Sequence, residues 1–295
     1  MALVQLFALV IVVVAVVLVA RGSSWGASPS ERFLAAWALP TTAATVALSS
    51  RQLGRDGCFR RLGAWIGFFL ATGWRLAADN KFSVDVSTLA LVLAGSCLGV
   101  VWAARPPRPR PGSIRSAVIR PREIVNYRAE GSQRSEWGLA TLVLVIGALV
   151  ASVAQWRGLG GGVAGRAAIT AGLALIATTL VQRLQRRVVE HPQPASDAEL
   201  LAVDDAHRSS TVDSLHHAVM GLLLCLAILT LGALPTRRVP TWVSGVSVVV
   251  VVVLLGAALA EWHRVSRAPF RPQVAVQETV ESAIPTTGDR SAEAP

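Results

Sequence analysis

Lysine is nearly missing from this 295-residue chain: of 28 basic residues only Lys81 is a lysine, and the remaining 27 are arginines. Charge of either sign is scarce. Charged residues make up 16% of the chain against 53% hydrophobic, where an average soluble domain carries about 25% charged, so an ordinary soluble fold lacks the polar surface it would need. Cysteine is sparse as well. Cys58, Cys97 and Cys225 show no CxxC spacing, which implies neither a disulfide framework nor a thiolate zinc site. A GxxxxGK[ST] phosphate loop and an HExxH pair are both missing from the sequence, so neither the signal for nucleotide hydrolysis nor that for a zinc protease is present. The centres of its longest apolar runs also carry no Asp, Glu, Lys or Arg, which weakens the reading of an ion-coupled carrier.

What the chain does have is long apolar stretches. Residues 3–20, 86–104, 139–155, 167–182, 218–234 and 242–260 each approach the roughly 20 residues an α-helix needs to cross the hydrocarbon core. Two weaker candidates are 33–49, interrupted by Pro40, Thr41 and Thr42, and 62–78, which contains Arg75. The first run differs from a signal peptide, since no basic residue precedes it and Arg21 follows directly, so it is read as a retained helix. Its valine-rich sequence would fit a strand in water, but a lone strand in lipid leaves its backbone unsatisfied.

Charge decides between span counts. With eight helices and the N-terminus inside, segments 50–61, 105–137, 183–215 and the tail from 261 hold four, eight, four and four arginines, or 20, against eight basic residues on the other side. A six-helix version, with both weak spans left in one external loop, gives a split of 16 to 12. The expected fold is therefore an all-α polytopic bundle of about eight spans, six as the fallback, with both termini cytoplasmic. Trp74, Trp102, Trp137, Trp156, Trp242 and Trp262 fall near proposed helix ends, where indole prefers the headgroup level.

The chain divides into an N-terminal four-helix membrane group (1–104), a basic Pro/Arg-rich cytoplasmic connector (105–137), a C-terminal four-helix group (138–262) and a disordered cytoplasmic tail (263–295). The connector opens Arg-Pro-Pro-Arg-Pro-Arg-Pro, which favours polyproline II. It reads either as a clamp on anionic lipid or as an ordinary positive-inside loop. Within 183–215, Pro192 and Pro194 end one helix, and Ser196-Asp-Ala-Glu199 forms a capping box for a cytoplasmic helix that runs toward the next span.

The string HPQPASDAELLAVDDAHR over residues 191–208, with apolar runs on both sides, resembles a segment of actinobacterial multispanning membrane proteins of uncharacterised activity. The resemblance covers these 18 residues and implies a similar topology and a bacterial plasma membrane. It transfers no site residue.

The same segment gathers the only cluster of potential metal ligands in the sequence: Asp204, Asp205, His207, Asp213, His216 and His217. Asp204 with His207, and Asp213 with His216 or His217, have the helical spacing that presents two ligands together. The plainer reading is a solvated charged helix, and no metal or cofactor is expected. Gly95 and Gly99 form a GxxxG, a candidate close helix contact, whereas the glycines of 158–165 read as a turn. Pro40 marks a candidate kink lined by Thr hydroxyls. No catalytic constellation emerges, so the expected function is a non-enzymatic membrane component or partner subunit. Its expected contacts are the bilayer, anionic headgroups at the cytoplasmic face and an unidentified membrane protein, with no nucleic acid. The alternative is a small transporter or permease-like protein.

Overall fold

A computed structural model of the protein describes residues 28–79, 86–103, 124–128, 131–159, 161–190 and 198–234, with isolated positions between 245 and 260. These residues form six α-helices: α1 Pro29–Ala36, α2 Ala43–Asp79, α3 Val86–Ala103, α4 Ser132–Trp156, α5 Gly161–Val189 and α6 Ala198–Gly232. One 3₁₀ turn, Ile124–Tyr127, precedes α4, and no strand occurs among the described residues. Four helices are long and apolar enough to cross a membrane: α3, α4, α5, and α6 from Glu199. Eight such helices are not seen among the described residues. The run 3–20, most of 242–260, the cap at Ser196 and the tail lie outside the described residues.

The expected span 33–49 is corrected. Ser28 and Glu31 form a reciprocal capping box with Pro29 in the first turn, so α1 starts cleanly. It then stops after two turns, because Pro40 has no N–H to give and bars helical backbone at Leu39. Ala38 takes φ of 52°, and Leu39 N donates to Leu34 O at 2.9 Å, closing the end. Beyond the break Thr45 N donates to Thr42 Oγ1 at 3.3 Å, and Thr45 Oγ1 donates to Pro40 O at 2.7 Å, which starts α2. Pro40 thus separates two helices where a kink within one was expected.

The second weak candidate, 62–78, is the latter half of α2, and 50–61 continues the same helix. At 37 residues α2 is roughly 55 Å long, and α6, at 35, roughly 52 Å. Both exceed the ~30 Å hydrocarbon core by about 20 Å or more.

Antiparallel α2 and α3 meet along glycine. A Cβ on Gly63 would strike the Gly95 carbonyl, one on Gly67 the Leu91 carbonyl, and one on Gly99 the Phe59 carbonyl. The backbones touch because nothing but hydrogen stands between them. Gly95 and Gly99 therefore lie in an intramolecular seam, and its other side, Gly63 and Gly67, is a second GxxxG. Glycines 161, 162 and 165 have open space where a Cβ would go, and the turn before them is made by Gly158 at φ of 62°.

The remaining helices form the core. On α4 the buried positions Ser132, Glu136, Ala140, Val143, Gly147, Val150 and Ala154 repeat at three and four residues, an apolar stripe that faces α5 and α6. Val163, Ala167, Ala174, Thr178, Val181, Gln185 and Val189 make the matching stripe on α5. Leu215, Val219, Leu223, Leu226 and Ala227 of α6 close the cluster. Gly147 lets α4 approach Ala167 and Ala171 closely, and Thr170 and Thr230 share a 2.7 Å hydroxyl contact between α5 and α6. Leu93 of α3 packs over Gly221, joining the glycine hairpin to this core.

Candidate functional site: a buried polar layer at one end of the bundle

One end of the bundle collects a dense set of inter-helix polar contacts, and Glu136 stands at its centre. Four residues from its start, α4 turns this side chain inward on the same stripe as Ala140 and Val143, leaving it 0% exposed. A bare carboxylate there would be prohibitively costly, so partners come from three other elements. Arg128, just past the 3₁₀ turn, forms an ion pair with Oε2. His216 Nδ1 of α6 lies 2.9 Å from Oε1. Gln185 Nε2 of α5 donates to Oε1 at 3.3 Å, and Gln182 Nε2 reaches Oε2 at 3.5 Å. Arg128, Gln185 and His216 are themselves buried.

A second set of contacts closes the same end. Arg208 Nε donates to Asp204 at 2.8 Å, while its Nη1 donates to Val188 O at 2.9 Å and to Val189 O at 3.1 Å, so a guanidinium caps the last turn of α5. Tyr127, the only tyrosine of the chain, donates its hydroxyl to Asp205 at 2.9 Å, and its carbonyl accepts from Ser209 Oγ at 3.3 Å. These bonds hold the 3₁₀ segment against α6. The connector expected over 105–137 therefore ends as docked structure, with 132–137 already inside α4.

A third set ties the first halves of α2 and α6 side by side. Gln52 donates to Asp204 at 3.3 Å, His207 Nε2 pairs with Asp56 at 3.1 Å, and Arg60 donates to Ser214 at 3.0 Å. The pairs advance together along both helices, so α2 and α6 run parallel here. The Phe33 ring of α1 lies edge-on to His207, with 6.3 Å between centroids. That contact keeps α1 at this end of the molecule, where an eight-span path would have carried it across.

The candidate ligands do not converge. Asp204 faces Arg208 and Gln52, Asp205 faces Tyr127, His207 faces Asp56, and His216 faces Glu136, each turned to a different neighbour. His217 packs its ring against His216 at 5.6 Å, and Asp213 is half-buried on the same helix. Among the described residues no group of three His, Cys, Asp or Glu is placed to hold a metal ion. Sequence reasoning missed Glu136, Arg128, Gln185, Tyr127 and Asp56. Only for Glu136 and Gln185 was there a signal: each continues the three-and-four spacing of its helix's apolar stripe.

The chemistry of the layer is that of a lock, with acids and donors from different helices satisfying one another. Comparison with protein-family models, with curated proteins and with solved structures finds no match for the chain.

Proposed function

We propose that the protein is a non-enzymatic integral component of a bacterial plasma membrane, a partner subunit whose working surface is the rigid polar end of the bundle. One observation carries this reading: α2 and α6 are each longer than the ~30 Å hydrocarbon core, and their first halves are bonded to each other through Asp56–His207, Gln52–Asp204 and Arg60–Ser214. Loose loops would not need such bonds. A braced helical projection offers a fixed shape to another protein, and the arginines around it offer charge to anionic headgroups.

The polar end is the cytoplasmic one in this reading. Residues 50–61, 124–128, 131–137, 183–190 and 198–214 gather there, within the segments in which arginine is concentrated. Since α1 stays on the same side, residues 33–49 do not cross. The second half of α2 crosses beside α3, to which its glycines bind it. With 3–20 and 242–260 as further spans the count becomes seven and the N-terminus falls outside. Arg21 and Arg32 then move inward, and the basic split sharpens from 20 against eight to 22 against six.

Purification from native membranes in mild detergent tests the proposal. A stable partner in near-equal amount supports it, and a monodisperse chain without a partner sinks it. A second reading, a small proton-coupled transporter, is favoured by one observation, the burial of Glu136 and His216 where α4, α5 and α6 meet. Proton uptake by proteoliposomes that disappears in Glu136→Gln would establish it over the first.

A further inference from the structure

The outward face of α5 changes character abruptly. Ile169, Leu173, Ile176 and Leu180 are exposed and spaced four, three and four apart, one continuous stripe along the helix. The next two positions of that stripe are Arg183 and Arg187, both exposed, with Arg186 exposed beside them. From Ile169 to Leu180 the helix rises roughly 16 Å, about half of the ~30 Å hydrocarbon core. The apolar part of the stripe therefore covers one leaflet, and the arginines arrive at the depth where that leaflet's phosphates begin.

The neighbouring helix carries the same order at the same level. The contacts of Glu136 with Gln182 and Gln185 set the antiparallel register of α4 against α5. In that register the exposed Arg134 lies level with the α5 arginines, and Trp137, 38% exposed, comes one turn deeper. The last two turns of α5 carry no acid, and Glu190 follows the end of the helix, after the arginines. A soluble partner would meet the charges but not the apolar stripe beneath them. A phospholipid meets both.

We propose that the last two turns of α5 bind an anionic phospholipid of the cytoplasmic leaflet, with its phosphate held by Arg183 and Arg187 and its acyl chains along Leu180, Ile176, Leu173 and Ile169. The proposal rests on the membrane reading above and adds to it a defined lipid site. Each arginine near a charged surface contributes about fivefold in binding, so the pair contributes about 25-fold.

The test uses the full chain, delipidated in detergent and offered phosphatidylglycerol or phosphatidylcholine, with retained lipid counted by native mass spectrometry. The expected result is a clear preference for phosphatidylglycerol, reduced about 25-fold in R183Q/R187Q and kept in R157Q/R166Q, which removes the same net charge from the opposite end of the bundle. All four side chains are exposed, and matching circular dichroism of the three proteins confirms that folding is not the variable. Equal loss in both double variants, or no lipid preference in the wild type, overturns the site. Alkaline carbonate extraction separates the two levels: a chain that resists it but shows no preference loses only this inference, whereas a chain that it strips from the membrane loses the membrane reading too.

Discussion

The hairpin of α2 and α3 and the core of α4, α5 and α6 solve the same packing problem by opposite means. In the hairpin, Gly63, Gly67, Gly95 and Gly99 bring two backbones together by removing side chains. In the core, medium-sized apolar side chains fill the space, and specificity is concentrated in one polar layer around Glu136. Lipid explains the contrast. Apolar burial distinguishes poorly between a neighbouring helix and an acyl chain, so close approach or a polar bond must do the selecting. The hairpin is sensitive to added volume, the core to removed charge.

Four substitutions, the first also combined with Arg128→Ala, break or sharpen that contrast. The largest effect is expected for Glu136→Ala, which leaves Arg128 buried without its counter-ion and costs about 3–5 kcal/mol in micellar unfolding. Arg128→Ala combined with Glu136→Ala should cost clearly less than the two single changes added together, and strict additivity would show that the two do not act as a pair. Next comes Gly95→Ala, where a single methyl meets the Gly63 carbonyl across the seam, at about 1–3 kcal/mol; an unchanged melting temperature would mean the backbones are not in contact. Asp56→Asn comes third, at about 1 kcal/mol, with faster amide exchange expected over residues 43–61 and not in α5. Smallest is Gly165→Ala. It has open space and should stabilise α5 by about 0.5–1 kcal/mol, whereas a loss there would reveal a neighbour not accounted for.

The contrast also divides what the sequence reveals from what it hides. Three helices of the core and α3 are legible because their apolar runs are long and free of charge. The length of α2 is not, since Ser49 to Arg61 dilutes its hydropathy with four arginines and its helicity depends on bonds to α6. Pro40 reads equally as a kink or a break when only propensity is weighed. Which one occurs is decided by the hydroxyl of Thr45, which bonds to the Pro40 carbonyl, and by the packing of Phe33 on His207. Gly63 and Gly67 carry the same signature as Gly95 and Gly99 but sit in a stretch that looks too polar to cross. Glu136 is camouflaged by Arg134 and Trp137 at the end of a basic connector. The Asp and His residues of α6 were visible from the start, but their partners come from residues 52, 56, 127 and 136, and no local pattern encodes pairings across such separations.

The central claim is that α1 and the first halves of α2 and α6 share one side of the membrane. Cys58, exposed on α2, is a native reporter of that side, while Cys97 and Cys225 are buried and can be replaced by Ala to leave it alone. Ala36→Cys adds a reporter at the exposed end of α1. With a membrane-impermeant maleimide, the account predicts that positions 36 and 58 are both protected in intact cells and both labelled in inverted vesicles. Labelling of position 36 from outside while Cys58 reacts only from within would contradict it and restore a crossing at residues 33–49.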